Sequence, residues 1–589
     1  MTGSLQQVLG NLMLNFKFAY TDGGFELIST NPTNSYDDQG NMVGDDFIYY
    51  YTPAAYYGGG MLDYFTNRNT LNLSLNGNYF AEDVMGGDHE IRFGVDYYTA
   101  TTTSQSVYPN QRTIFSWDRT DPNYYKEIWW IPNTMYDVGF KRTSFYVSDT
   151  ATFGKLTANI GLRYDKEEGS HNAATAKGLT LNGTPIYTGY LGDKTAAAGT
   201  AAAAFETISP RLSFTYDISG DGKNVVKLAL ARYGSQSGNS IASHTWALSW
   251  RGIGVYWADD GDNVVEMGEF SQDMADWYWW DVDTVNPYGV TSSNTYASDL
   301  NSPILDELSL SFEKELAEDF GMNLTVFYKK KHNLLWLGTD GEYKGIMADG
   351  SIEDASNWYE AGTYTFDSGK QKTWYSRYNV PVAYQMANFK KNYNQYMAMQ
   401  LVLSKKFSNK WMFDASFTYQ DWVAKRFKSE YYDQTNYDYY NEGVVAPEAG
   451  GSGVQGIFVN ARWMFKLSGL YQLPWGINIT GVLNAREGYV IPYFENFQRP
   501  AGLGWTKFYE PGKKMGDDRL PTFWMLNLGL EKTFKVSDTV TATLFIDGYN
   551  ITNNSTTLKV ENTLGTSATD DILRVLNPAV FQFGFRVNF

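Results

Sequence analysis

The sequence predicts an all-β chain, a transmembrane antiparallel β-barrel. Three observations lead there. Stretches in which apolar and polar residues strictly alternate return along the whole length. Short turns and long loops take turns in joining them. Aromatic residues make up 17% of the chain, with 45 Tyr and 18 Trp, which suits the aromatic girdles that barrels place at both lipid–water interfaces.

Alternation marks a strand because successive side chains leave opposite faces. The final stretch shows it most plainly: Phe581, Phe583, Phe585, Val587 and Phe589 point one way, and Gln582, Gly584, Arg586 and Asn588 the other. At 71–79, Leu71, Leu73, Leu75 and Tyr79 oppose Asn72, Ser74, Asn76 and Asn78. At 91–97, Ile91, Phe93, Val95 and Tyr97 oppose Arg92, Gly94 and Asp96. At 156–165, Leu156, Ala158, Ile160, Leu162 and Tyr164 oppose Thr157, Asn159, Gly161, Arg163 and Asp165. The same holds at 322–329 and 524–531. One greasy and one polar face on strands of about ten residues is what a spanning barrel requires, with lipid outside and water inside.

The connections carry the second signal. Short turns fall near 81–88, 153–155, 217–223, 316–321, 408–410, 474–476 and 537–539. Several hold turn formers, such as Gly86-Gly87-Asp88 and Ser219-Gly220-Asp221-Gly222. Long polar and aromatic segments fall near 24–68, 106–141, 170–207, 236–302, 337–391, 428–459, 494–520 and 554–577. Seven turns and eight loops join about sixteen strands, with the short turns periplasmic and the long loops extracellular. A set of soluble β-sandwiches or a propeller also explains alternation. It explains the one-sided loops less well, since most are far longer than compact domains use.

Composition excludes other classes. No run of about 18 apolar residues provides a transmembrane helix. The chain has no cysteine, so disulfide frameworks, thiolate metal sites and cysteine nucleophiles are out. A net charge of −18 argues against nucleic acid, which asks for clustered Lys and Arg. Met1 is followed by T-G-S-L-Q-Q, without the basic and apolar regions of a secretory signal. The expectation is that the natural N-terminus, with its signal peptide, is missing, and that residues 1–589 are one barrel domain.

Phe145-Tyr-Val-Ser-Asp-Thr150 running into Leu156–Asp165, Ser209-Pro-Arg-Leu-Ser-Phe-Thr-Tyr216 followed by Gly220-Asp-Gly-Lys223, Arg519-Leu-Pro521, Asp547-Gly-Tyr-Asn-Ile-Thr-Asn553 and the strand ending in Phe589 occur in a suggestive order. The chain resembles the C-terminal barrel of TonB-dependent outer-membrane receptors, particularly the Oar-like group. The resemblance implies a Gram-negative outer membrane, a barrel of roughly 22 strands around a plug, and import of a bulky nutrient: a glycan, peptide or chelate. Energy would come from a TonB-type complex acting on the plug. The terminal aromatic is similar to the signal read by β-barrel assembly machinery. Neither plug nor TonB box is found in this sequence, so the expectation is a portion missing the plug and first strands. A passive sixteen-stranded channel and a surface adhesion protein are the alternatives.

No catalytic set stands out, and no enzyme and no required cofactor are expected. His89, His171, His244 and His332 have no ligand spacing. The loop at 236–302 is the most unusual. It holds Trp257-Ala-Asp-Asp-Gly-Asp-Asn263, Glu266 and Glu269. Oxygen ligands on a Gly-containing loop suit Ca²⁺. With Glu269 last, Asp260 and Asp262 fall at the third and fifth EF-hand positions, but Ala258 takes the first and Asn263 replaces the usual glycine. A solvated acidic loop is the plainer reading. Trp257, Trp277, Trp279, Trp280, Trp129 and Trp130 are the candidate ligand-binding aromatics, since exposed rings beside carboxylates stack on sugars or clamp peptides. Loop packing and girdle positions compete with that role. Tyr124, Tyr125, Tyr431, Tyr432, Tyr439 and Tyr440 form similar pairs.

Overall fold

The fold was analysed in a computed structural model. It describes residues 1–589 apart from 30–34, 37–41, 44–45, 52–53, 58–60, 118–119, 121–125, 187–192, 247, 249–251, 274–275, 281–293, 339–357, 378–384, 390–392, 426–459, 499–504 and 509–515. No helix among the described residues is long and apolar enough to cross a membrane.

Among the described residues, eighteen strands form one large antiparallel sheet. Apart from Gly24–Leu27, successive strands of this sheet pair antiparallel, from Thr2–Leu9 and Leu12–Thr21 through Asp63–Val84, Gly87–Val107, Thr134–Phe153, Leu156–His171, Gly199–Asp217 and Asn224–Gly234. The meander then continues through Ile304–Ala317 and seven further strands to Val580–Asn588. Such up-and-down pairing needs only short turns on one side. All seven expected turns are there, and an eighth, Gly10-Asn11, joins the first two strands. Gly154 turns the chain with φ +56, where a side chain would be strained.

The count exceeds sixteen through two pieces. Gly24–Leu27 runs on from Leu12–Thr21 along the same neighbour. Thr2–Leu9 is a strand although T-G-S-L-Q-Q-V-L does not alternate. Thr2–Leu9 and Val580–Asn588, at the ends of the pairing order, each have one hydrogen-bonded neighbour in the large sheet among the described residues.

Burial in the sheet is inverted relative to a soluble protein. Phe145, Val147 and Leu162 are each 50% exposed and Ile160 53%, while Ser144 on the opposite face is 0% exposed. The apolar face looks outward along the whole meander, through Leu75, Leu310, Val326 and Leu544 to Phe585. Water would not tolerate so large an apolar surface; lipid does.

Aromatic rings cover glycines across neighbouring strands. Phe545 lies opposite Gly584, and a Cβ on Gly584 would stand 1.9 Å from the Phe545 ring. Gly584→Ala is therefore expected to cost about 1–3 kcal/mol by overpacking, read as a lower urea midpoint for the folded barrel. No change would mean that the ring moves freely.

The large buried core lies in the loops. Ile48–Tyr50, Ala55–Tyr57, Arg112–Ser116, Lys126–Trp130, Gly252–Trp257 and Tyr278–Trp280 make a second, six-stranded sheet, a cap drawn from three loops expected to be irregular. Ile48, Ile114, Ile128, Trp130, Ile253, Val255 and Trp257 pack on one face, joined by Leu179, Leu181 and Ile186 from a fourth loop. A short helix, Ser240–His244, ties the loop ends to strands of the large sheet, and Trp246 Nε1 donates to the Met135 carbonyl at 3.0 Å.

Candidate functional site

Alternation sorts the cap aromatics. In Lys126–Trp130, Trp130 points into the core and is 0% exposed, while Trp129 is half-buried on the other face. Trp257 and Trp277 are 1% and 5% exposed. Trp257 Nε1 donates to Glu269 at 2.9 Å and Trp277 Nε1 to the Ser271 carbonyl at 2.7 Å. Trp130, Trp257 and Trp277 thus hold the cap together and have almost no surface to offer a ligand. Trp279 and Trp280 pair by their backbones with Ile253 and Gly252; their side chains lie outside the described residues. So do Tyr124, Tyr125, Tyr431, Tyr432, Tyr439 and Tyr440.

The outer face of the cap carries a row of rings, of which the sequence marked Trp129 as a candidate and left out Tyr49, Tyr51, Phe115 and Trp117. Tyr49 and Phe115 are 6.2 Å apart, Tyr51 stacks on Trp117 at 4.3 Å, and Phe115 meets Trp129 at 4.5 Å. Trp129 Nε1 donates to Glu127 at 2.8 Å. Burial, then the neighbouring Tyr49 and Glu127, push the Tyr51 phenol above its ordinary value. Flat rings edged by a carboxylate present the stacking and hydrogen-bonding chemistry that suits a sugar or a peptide. The signal was legible in Y-Y-Y at 49–51 and I-F-S-W at 114–117, read with period two.

The acidic loop does come together. Asp259, Asp260, Asp262 and Glu269 bring carboxylate oxygens within 4.8 Å of one another, and Asn263 takes φ +59 where an EF-hand has glycine. Several of these oxygens already serve the loop itself. Glu269 accepts from the Asp260 N–H at 3.1 Å and the Glu266 N–H at 2.9 Å. Asp262 accepts from the Val264 N–H at 2.7 Å and Asp259 from the Asn263 N–H at 3.0 Å. The Lys126 ammonium, from another strand of the cap, pairs with Asp259, donates to Asn263 at 3.0 Å and lies 5.1 Å over the Trp257 ring. A lysine therefore supplies positive charge beside the cluster.

Charges on the polar face of the sheet are largely paired. Within a strand, Arg163 binds Asp165 at 2.9 Å and Arg92 binds Glu90 at 2.8 Å; between strands, Arg163 binds Asp96 at 3.1 Å and Lys329 binds Glu307 at 2.9 Å. The four histidines remain apart: His89 meets Asp149 and His332 meets Asp306, while His171 and His244 lie against Trp246 and Tyr296.

A sequence model of the family described as "Outer membrane beta barrel domain" matches residues 6–490. Among solved structures, the chain is similar to the outer membrane transporter YddB from Escherichia coli, at 11% identity and a TM-score of 0.52, over 100% of this chain and 62% of that one. The ferric citrate transporter FecA in the unliganded form aligns at 9% identity and 0.48, over 100% and 60%. BauA, the ferric preacinetobactin receptor from Acinetobacter baumannii, aligns at 12% and 0.45, over 100% and 62%. At 11% identity the likeness to YddB concerns the fold alone, and this chain spans about three fifths of the length of the three structures. No curated protein matches the sequence.

Proposed function

The chain belongs to the outer membrane β-barrel domain family, and from that premise we propose that it is the barrel of a TonB-dependent receptor that imports a bulky nutrient. That family is one of membrane barrels, not enzymes, and its place is the Gram-negative outer membrane. The nutrient, a glycan, a peptide or a metal chelate, is captured on the cap, and a TonB-type complex supplies the energy through a plug. The motifs around Phe145, Ser209 and Asp547 favour the Oar-like group within such receptors, and the terminal Phe589 suits recognition by barrel-assembly machinery.

One observation carries the proposal. A sheet with its apolar face turned outward is joined to a cap with its own hydrophobic core. A pore that only passes small solutes has no need of a packed cap, because ordering loops costs conformational entropy. A capture surface does need one, since preorganised contacts bind more tightly. Contact falls to Trp129 and its outer-face neighbours, with Trp279 and Trp280 as the remaining candidates. Trp130, Trp257 and Trp277 preserve the shape of that surface. Calcium at Asp260, Asp262 and Glu269 is a less favoured proposal, because Lys126 already brings charge there.

The first test is the mass of the native polypeptide in the outer-membrane fraction, detected with an antibody against 236–302. A band well above 66.6 kDa leaves room for plug and further strands. A band at that mass, with steady conductance in planar bilayers, would replace the receptor by the passive channel. Binding without uptake would favour an adhesion protein. The second test is Trp129→Ala. Among oligosaccharides, peptides and ferric chelates, whichever the cells take up should bind roughly fivefold more weakly, with the amount of folded barrel unchanged. Unaltered affinity would remove Trp129 from the contact surface.

A further inference from the structure

The polar face of the barrel sheet holds a cavity of about 150 Å³ between Thr134–Phe153, Leu156–His171, Gly199–Asp217 and Asn224–Gly234. Its lining includes three guanidinium groups, Arg142, Arg163 and Arg211, and two carboxylates, Asp165 and Glu167. These charges do not cancel in pairs. Arg163 is committed to Asp165 and Asp96. Asp165 also accepts from the Ser144 hydroxyl at 2.6 Å. Glu167 accepts from the Ser237 N–H at 2.9 Å and its hydroxyl at 2.8 Å.

Arg142 acts on the Glu167 carboxylate across the cavity without forming an ion pair, and neither Arg142 nor Arg211 has a carboxylate within 4.0 Å among the described residues. Aromatic faces hold them instead: Arg142 lies 5.6 Å over Tyr98 and Arg211 4.9 Å over Tyr233. A ring fixes a guanidinium while leaving its N–H donors available. The Nε of Arg142 is closed off from solvent and has no hydrogen-bond partner, so a solute in the cavity would meet the terminal nitrogens of that guanidinium. Two poised guanidinium forks on a chain of net charge −18 are a local exception that calls for an anion.

We propose that this cavity binds the oxyanion group, carboxylate or phosphate, of a small solute. Arg142 and Arg211 grip it, and Ser209 and Thr207 also line the cavity. The planar guanidinium matches two oxygens of either anion at once, which a lysine would not do. A cavity of this volume takes one acidic group and a few attached atoms rather than a whole chelate or oligosaccharide. The site needs only that the polar face meets water, and holds whether or not the cap captures a nutrient.

Calorimetric titration of the detergent-extracted protein at low salt, with inorganic phosphate and separately with succinate, tests it. Saturable one-to-one binding of at least one anion is expected. Arg142→Gln or Arg211→Gln should each weaken it at least about tenfold, and Arg211→Lys should fall between. Arg92→Gln, on the same face outside the cavity, should leave it unchanged. Phenylglyoxal modification of the wild-type protein, mapped by mass spectrometry, provides a readout independent of variant folding: the bound anion should protect Arg142 and Arg211 but not Arg92. Absence of saturable binding with both anions, absence of protection, or unaltered binding when Arg142→Gln and Arg211→Gln are combined would overturn the proposal.

Discussion

Leu162→Arg is expected to cost about 2–4 kcal/mol of folding stability in lipid, read from refolding into vesicles with the folded fraction followed by gel mobility. Leu162 is 50% exposed, in mid-strand, between Val147 and Pro210 on the neighbouring strands. In a soluble sheet an exposed Leu→Arg change stays within about 0.5 kcal/mol, because the guanidinium meets water. At the centre of a bilayer it meets hydrocarbon. Asn159→Arg, on the opposite face of the same strand, replaces a side chain that donates to Thr150 at 3.1 Å, and should cost about 1 kcal/mol or less. A small effect at Leu162 with a large one at Asn159 would invert the assignment of faces and remove the membrane from the argument.

That experiment probes the part of the molecule most legible in the sequence. A spanning strand must separate lipid from water over its whole length, so its period of two runs unbroken, as in Leu156–Asp165. Thr2–Leu9 escaped detection because T-G-S-L-Q-Q-V-L does not alternate; only its pairing with Leu12–Thr21 marks it as a strand. The cap escaped for another reason. Its strands are three to six residues long and come from distant loops, so no single stretch carries enough repeats to stand out. Its rule was nevertheless present in the adjacent pair Trp129 and Trp130. Neighbours on a strand face opposite ways, so two adjacent tryptophans cannot share a task. Lys126 was invisible as a partner for Asp259 because 133 positions separate them and only the folded cap brings them together.

Lys126→Met is accordingly expected to unlatch the cap while leaving the barrel intact. The Lys126 side chain is 5% exposed and that of Asp259 1%. Removing one partner of such a pair leaves the other charge buried without compensation, a loss of about 3–5 kcal/mol. Here the loss is amplified by neighbours, because Asp260, Asp262 and Glu269 share the same small volume. The loss should be local. Amide exchange should accelerate in Lys126–Trp130 and Gly252–Trp257, which pair directly, and stay slow in Leu156–His171. Asp259→Asn should reproduce the effect in part, and the double variant should lose less than the two single losses added. The same measurement decides between lysine and calcium. If the ammonium is the counter-charge, a chelator leaves wild-type exchange unaltered. If chelation alone opens those two strands as Lys126→Met does, a cation shares the loop with Lys126, and Asp260, Asp262 and Glu269 are its ligands.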